Sequence, residues 1–402
     1  MLFFYRGVYR SAFAGNADFA APYAGARLLI TGDNPYDSNR LTSTLAAAGA
    51  QNPTHTVAVY PPGSLAAMLP FALLPVRPAR AFIIIVGLGL LAFGIYRWMS
   101  ILTYSPHECF VSSFLLAACA PLHTAMVVSN PALPAAGALL AGSALFQAGA
   151  TRRGLLLLGF SLLLKPQLGI IGPLWLALGS RVRPAFYLTF CVGSLHLAIA
   201  AVIFFLQPTS CLDWLGNLRA ESVTGAISAE TQLGFQRIDP TGVWFAMTGI
   251  GLPFPLALLL AAGFIWRLWF DSRGASPATP SLQLAWLGSI GLCLLISGYH
   301  RSYDALVLAP LWLLLVSTDF SSTNQPVRFL RTFNLIWILP GAGFWLLLET
   351  RSEWVQHTLA PSFLWKAGLL RLHGWIVVST ALILMLVPPS RLAIRQTPDS
   401  SL

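Results

Sequence analysis

Residues 81–101 read AFIIIVGLGLLAFGIYRWMSI, a stretch whose only charged residue is Arg97. A helix rises about 1.5 Å per residue and the hydrocarbon layer of a bilayer is about 30 Å thick, so this one run is long enough to cross. Working outward, further apolar runs fall near 62–76, 109–129, 131–148, 154–179, 184–206, 247–270, 282–298, 303–317, 330–348 and 369–388. Short connections bearing Arg, Pro or Gly separate them. The pattern predicts an all-α, polytopic transmembrane helical bundle of about ten to twelve membrane segments. Runs of 12 to 15 residues do not cross alone, so several are expected to be broken half-helices.

The whole composition agrees. The 402 residues are 56% hydrophobic and 9% charged, against about 25% charged in an ordinary soluble domain. No soluble core absorbs that much apolar surface, whereas lipid solvates it directly. The net charge of +10 is spread in ones and twos between the runs, which argues against nucleic acid as a partner and for membrane lipids. The five cysteines have neither CxxC nor metal-ligand spacing. Met1 to Phe4 is too short for a signal-peptide core.

Arg77, Arg80, Arg152, Arg153, Arg181, Arg183, Arg267, Arg273, Arg328, Arg331, Arg391 and Arg395 fall on one side, which the positive-inside rule makes cytoplasmic. The other side collects most carboxylates. This gives residues 1–61 as an extracytoplasmic N-terminal loop with amphipathic helices and 62–390 as the transmembrane domain. Its extracytoplasmic loops lie near 207–242 and 349–367, and 391–402 form a cytoplasmic tail. The leading polar segment has no span before it, so an upstream helix is expected, or else a tail carried outward by the 62–76 run.

Two interruptions place a proline beside an ionisable group at apparent membrane depth: Ala120-Pro121-Leu122-His123 and Lys165-Pro166-Gln167. Irregular backbone is tolerated there where protein buries it or where it lines a wet cavity. His123 and His196 are lone intramembrane histidines, expected to pack.

The N-terminal segment carries the densest polar pattern. Asp18 precedes a Tyr23-bearing helix of residues 20 to 30; Gly32-Asp33-Asn34-Pro35-Tyr36-Asp37 follows, then Tyr60-Pro61-Pro62. On residue types alone the middle element is a turn and Asp18 a helix cap. In this order the elements resemble the first extracytoplasmic loop of glycosyltransferase family 87, polyprenyl-phosphate-mannose-dependent mannosyltransferases of the GT-C type. Lys165-Pro166-Gln167 and Gly298-Tyr299-His300-Arg301-Ser302-Tyr303-Asp304 resemble two further elements of that family. The element expected before the fourth run reads Val128-Ser129-Asn130-Pro131 here, which departs from the family pattern.

The resemblance implies an inverting transfer of a hexose, mannose above all, from a polyprenyl-phosphate sugar to a glycolipid or glycan acceptor. It implies no cofactor and no metal, the lipid-linked sugar being a substrate. The setting would be a bacterial plasma membrane, with the active site on the extracytoplasmic side. A carboxylate within reach of the acceptor hydroxyl can act as base, which makes Asp18 the catalytic candidate. Lys165, a cation at membrane depth, suits a lipid phosphate, and also reads as a side chain that snorkels to the interface. His300 and Arg301 are candidates for phosphate or acceptor contact, with a structural loop histidine as the alternative. Gln167, Tyr23, Tyr36, Asp37 and Tyr60 complete the substrate-binding set, although aromatic residues more often pack in cores. Tyr303 and Asp304 also read as caps. The acids Asp18, Asp33, Asp37 and Asp304 show no metal-loop spacing. These residues are expected to converge at the outer membrane boundary. A secondary transporter, which also uses broken helices, is the rival reading; it calls for paired interruptions in two related halves, and the sequence shows none. A polytopic membrane protein without catalytic activity is the other alternative, and it does not explain a Tyr/Asp-rich exported loop joined to the Lys165 break.

Overall fold

A computed structural model describes residues 18–50, 57–223, 237–250, 252, 254–274, 279–317, 325–339 and 342–392. The readings made on Met1 to Phe4, and on the tail beyond residue 392, lie outside the described residues. Within them, regular structure is helical, apart from an isolated antiparallel bridge between Arg237 and Arg301. The chain forms two compact units. One comprises residues 1–94, 122–173 and 183–231, the other 95–121, 174–182 and 232–402.

Among the described residues four helices are long and apolar enough to cross a membrane: Val76–Ile101, Val182–Leu206, Pro255–Arg273 and Pro280–Ser297. The broken pair Pro106–Ala118 and Ala120–Val128 makes a fifth if it forms one span. The protein is therefore a helical membrane protein with four or five candidate spans by length and composition, fewer than the runs read from sequence. Several of those runs are shorter helices of 10–17 residues, such as Ala132–Gln147 and Leu372–Leu386.

The differences have local causes. The run near 62–76 resolves into Pro62–Ala67 and Leu69–Ala72, and the next helix starts at Val76. It takes in Pro78, because proline is tolerated in a first turn, where no backbone acceptor awaits its missing N–H. The run near 330–348 is interrupted at Leu339, extended at ψ 149°, the conformation favoured before a proline, here Pro340. Segments 207–242 and 349–367, read as loops, contain helix: Thr209–Val223 in the first, and wide π-helical turns at Val355–Leu359 and Leu364–Leu369 in the second.

In the first unit the Ala132–Gln147 helix is almost wholly buried. Glycines permit this. A Cβ at Gly137 would meet the Leu91 backbone nitrogen at 2.8 Å, and one at Gly142 would meet the Gly154 carbonyl oxygen at 2.9 Å. Its neighbours thus approach backbone to backbone, the packing that association in lipid favours. The Val182–Leu206 helix is the opposite case, with Phe186, Phe190, Leu197 and Phe205 exposed. Such a face belongs against hydrocarbon. In the second unit the Pro280–Ser297 helix is central: its 18-residue apolar window is 78% buried, against 17% for Val182–Leu206.

Candidate active site

The first unit brings Asp18 and Lys165 together through a third residue. The Thr151–Leu164 helix stops where Lys165 takes φ −145°, ψ 84°, because Pro166 disfavours helical geometry in the residue before it. A short turn, Pro166–Gly169, follows. This fixes Lys165 at the break, 2% exposed, and its Nζ donates to Asn130 Oδ1 at 3.2 Å. The same Oδ1 accepts from the Ala132 backbone N–H at 2.8 Å, satisfying one of the orphan donors at the start of the Ala132–Gln147 helix. On its other side Asn130 Nδ2 donates to Asp18 Oδ2 at 3.0 Å. Two donors on one side and a carboxylate on the other leave the amide a single satisfactory orientation.

The turn holding Asn130 is anchored by a second buried cation. Ser129 is left-handed, φ 50°, a conformation in which glycine or asparagine is more usual. Its hydroxyl explains the choice of serine, since Oγ accepts from both Nε and Nη2 of Arg80 at 3.3 Å. Arg80 is 3% exposed and sits near the start of the Val76–Ile101 helix, at the same end of the unit as Asp18 and not, as read from the charge pattern, on the side opposite the carboxylates. One two-residue turn therefore contacts two buried cations and the half-buried Asp18 carboxylate. Chemically this is a carboxylate oriented by an amide, with positive charge held behind it.

The other N-terminal candidates have mixed placements. Phe19, at the cap position of the Ala20–Thr31 helix, provides no side-chain cap, while Asp18 is hydrogen-bonded to Asn130. Tyr23 is fully buried; its hydroxyl donates to the Leu74 carbonyl at 2.8 Å and accepts from Arg27 at 2.9 Å. Tyr36 is also buried, with its hydroxyl donating to the Tyr60 carbonyl at 3.0 Å. Burial, with a smaller contribution from nearby Cys211, pushes the Tyr36 phenol well above its ordinary value. Asp37 caps the Ser38–Ala47 helix, accepting from Asn39 and Arg40 backbone N–H groups. Gln167 is exposed and Tyr60 half-buried.

Tyr36, Asp37, Asp213 and Asn217 line a polar cleft of about 390 Å³. Its wall is held by Asn34, which donates to Asp213 at 2.6 Å, and by Asn217, which donates to the Tyr36 carbonyl at 3.0 Å. Hydroxyl-rich ligands are matched by such carboxylate and amide groups.

His300 and Arg301 belong to the second unit and lie in a charged network. His300 is 3% exposed, and its Nδ1 is 3.2 Å from Asp304 Oδ2. A carboxylate acceptor there assigns the proton of the neutral ring to Nδ1. Asp304 Oδ2 also accepts from the Arg301 backbone N–H at 3.2 Å, the capping alternative read from the sequence. The His300 carbonyl accepts from Ile238 at 2.9 Å, and its N–H reaches Asp239 at 3.4 Å. Asp239 is fully buried and held by Arg237 through two hydrogen bonds of 2.8 Å. Arg237 and Arg301 each lie over the Tyr299 ring, and buried Arg371 donates to the Arg237 carbonyl.

Sequence reading missed Asn130, Arg80, Arg237, Asp239 and Arg371 as members of these sites. Two had a local signal: Asn130-Pro131 and Asp239-Pro240 both pair a capping residue with a proline that opens a helix. Buried arginines have no such signature.

A family model described as glycosyltransferase family 87 matches residues 58–298. No curated protein and no solved structure matches the chain.

Proposed function

Since the chain belongs to glycosyltransferase family 87, we propose that it transfers a hexose, mannose in the first instance, from a polyprenyl phosphate to a glycolipid or glycan acceptor outside the cytoplasm of a bacterial cell. The observation that supports this most is the Asn130 amide joining Asp18 to Lys165. Transfer from a lipid phosphate needs a base for the acceptor hydroxyl and positive charge for the departing phosphate. Asp18 is assigned the base and Lys165 the phosphate. Direct attack opposite the leaving group inverts the anomeric carbon: the acceptor oxygen bonds to C1, the C1–O bond to phosphate breaks, and the acceptor proton passes to Asp18.

His300 is assigned contact with phosphate or acceptor and Arg301 contact with phosphate; with the ring proton on Nδ1 facing Asp304, the Nε2 lone pair suits the acceptor hydroxyl, which donates. Gln167 and Tyr60 are assigned to substrate. Tyr36 and Asp37 are assigned through the polar cleft they line, and Tyr23 by supporting the loop that carries Asp18. The donor class is tested with purified protein in lipid vesicles, offered labelled polyprenyl-phosphate mannose or labelled nucleotide-mannose together with membrane glycolipid acceptors. The reading requires transfer from the lipid donor. Transfer only from the nucleotide sugar would overturn it.

A further inference from the structure

Pro166 does more than end the helix before it. A helical carbonyl accepts from the N–H four residues on, so the Leu162 carbonyl is matched to Pro166, which has no N–H to give. The Leu163 carbonyl would be matched to Gln167, but Lys165 at φ −145°, ψ 84° turns the chain out of the helix before that residue. Two carbonyls are thereby freed at the break. At membrane depth such groups must be met by neighbouring helices, commonly by hydroxyl side chains.

Two side chains meet them. Ser64, fully buried, donates Oγ to the Leu163 carbonyl at 3.1 Å. His196, on the Val182–Leu206 helix, bonds to the Leu162 carbonyl; its Nε2 has no partner, so Nδ1 carries the proton and donates. The flanking Leu195 and Leu197 are exposed, whereas the His196 ring turns inward onto Gly63, where an added Cβ would lie 2.1 Å from Nδ1. A side chain at 63 would push the ring off its carbonyl. Proline opens the Pro62–Ala67 helix, its fixed φ being suited to a first turn, and so sets Gly63 and Ser64 side by side at the break. This gives the Tyr60-Pro61-Pro62 element a task, and it gives one to His196, read from the sequence as a packing residue.

A lysine at a helix end readily bonds the last carbonyls of its own helix. Lys165 Nζ instead donates to Asn130. We propose that Ser64 and His196 are positioning residues for Lys165, which rests on the assignment of Lys165 to the donor phosphate: by occupying the Leu163 and Leu162 carbonyls they keep the ammonium from folding back onto its own helix end and hold it toward Asn130. Neither residue touches substrate.

The test uses the full chain in lipid vesicles and two readouts. One is hydrogen–deuterium exchange across residues 161–170, where the Lys165, Leu168 and Gly169 N–H groups are bonded within the turn. The other is the initial rate of transfer from labelled polyprenyl-phosphate mannose at varied donor concentration, per folded protein. His196→Leu keeps bulk and removes the donor; His196→Asn returns an N–H close to the place of Nδ1. His196→Leu should speed exchange at the turn at least about threefold. It should also lower kcat about tenfold with KM little changed, since a displaced charge is felt mainly in the transition state. His196→Asn should restore both, and Ser64→Ala should repeat the His196→Leu pattern. Added to Lys165→Met, His196→Leu should slow transfer no further. Unchanged exchange in His196→Leu, an Asn variant as impaired as the Leu variant, or the full tenfold loss persisting on top of Lys165→Met would overturn the proposal. Wild-type transfer by Lys165→Met alone would instead refute the phosphate assignment, and the exchange data would still decide whether the two side chains hold the break.

Discussion

Asn130 is the residue on which the first unit's site turns, and two substitutions separate what it does for the fold from what it does for chemistry. Asn130→Ala removes three hydrogen bonds: to Asp18 at 3.0 Å, from Lys165 at 3.2 Å and from the Ala132 N–H at 2.8 Å. Loss of a helix-initiating side-chain acceptor costs about 1 kcal/mol. A charge-assisted bond to a buried ammonium adds about 1.5–3 kcal/mol. The bond to half-buried Asp18 is discounted because solvent screens it. The sum is about 2.5–4 kcal/mol, a fall of roughly 5–8 °C in the unfolding midpoint at about 2 °C per kcal/mol.

Asn130→Asp has a different signature. It keeps an acceptor for both Lys165 and Ala132, so the midpoint should stay within about 2 °C of wild type. It replaces the donor facing Asp18 by a second carboxylate, and two carboxylates at hydrogen-bond distance cannot both ionise freely. Transfer should drop about 10- to 100-fold near neutral pH, and the acidic limb of its pH profile should move to higher pH. The assays are differential scanning fluorimetry in detergent and initial rates of mannose transfer across pH 5–9. The reasoning is refuted if Asn130→Asp transfers at the wild-type rate with an unshifted profile, or if Asn130→Ala unfolds at the wild-type midpoint.

Three further outcomes follow from the same geometry. Gly169→Ala places a Cβ 2.1 Å from the Leu162 Cα, so the Lys165 turn must shift; a loss of at least about 3 kcal/mol is expected, seen as a collapse in the yield of folded protein on size-exclusion chromatography. Tyr36 has its folded pKa raised by burial, so the stability it confers is complete below about pH 10 and is lost as pH climbs toward the folded value. Ultraviolet titration should show Tyr36 ionising late, so Tyr36→Phe should reduce the late-ionising amplitude by one tyrosine while costing about 1 kcal/mol for the bond to Tyr60. Asp239→Asn removes the charge that buried Arg237 meets through two hydrogen bonds and should destabilise by about 3 kcal/mol, measured as a lowered unfolding midpoint. Little change there would mean that the Arg237, Asp239 and His300 network does not support the second unit.

The sequence made some of this legible and left other parts hidden, for physical reasons that particular residues illustrate. The break at Lys165-Pro166 could be read because it is local: proline acts on the residue before it whatever the tertiary surroundings. The turn that ends at Asp37 could be read for the same reason, although the helix cap that Asp37 supplies was not. The role of Asn130 could not, because its partners lie 112 and 35 positions away. In the sequence it showed only as an element that departed from the expected pattern. Tyr23 and Tyr36 show the limit in the other direction. An aromatic residue in a polar loop suggests a sugar platform, yet both rings pack inward and both hydroxyls bond to protein carbonyls. The number of crossings was hard to read because hydropathy measures apolar length and not continuity. Cys119 and Leu339 each interrupt a run by taking an extended conformation.

The most direct measurement is single-turnover transfer of mannose from polyprenyl phosphate by purified, folded Asp18→Asn and Lys165→Met proteins in vesicles. Neither substitution changes side-chain length much, but each removes the charge assigned a chemical task. The account predicts that each slows transfer at least about 100-fold, as loss of a positioned base or an electrostatic stabiliser does. Wild-type rates in both variants, with unchanged unfolding midpoints, would contradict it.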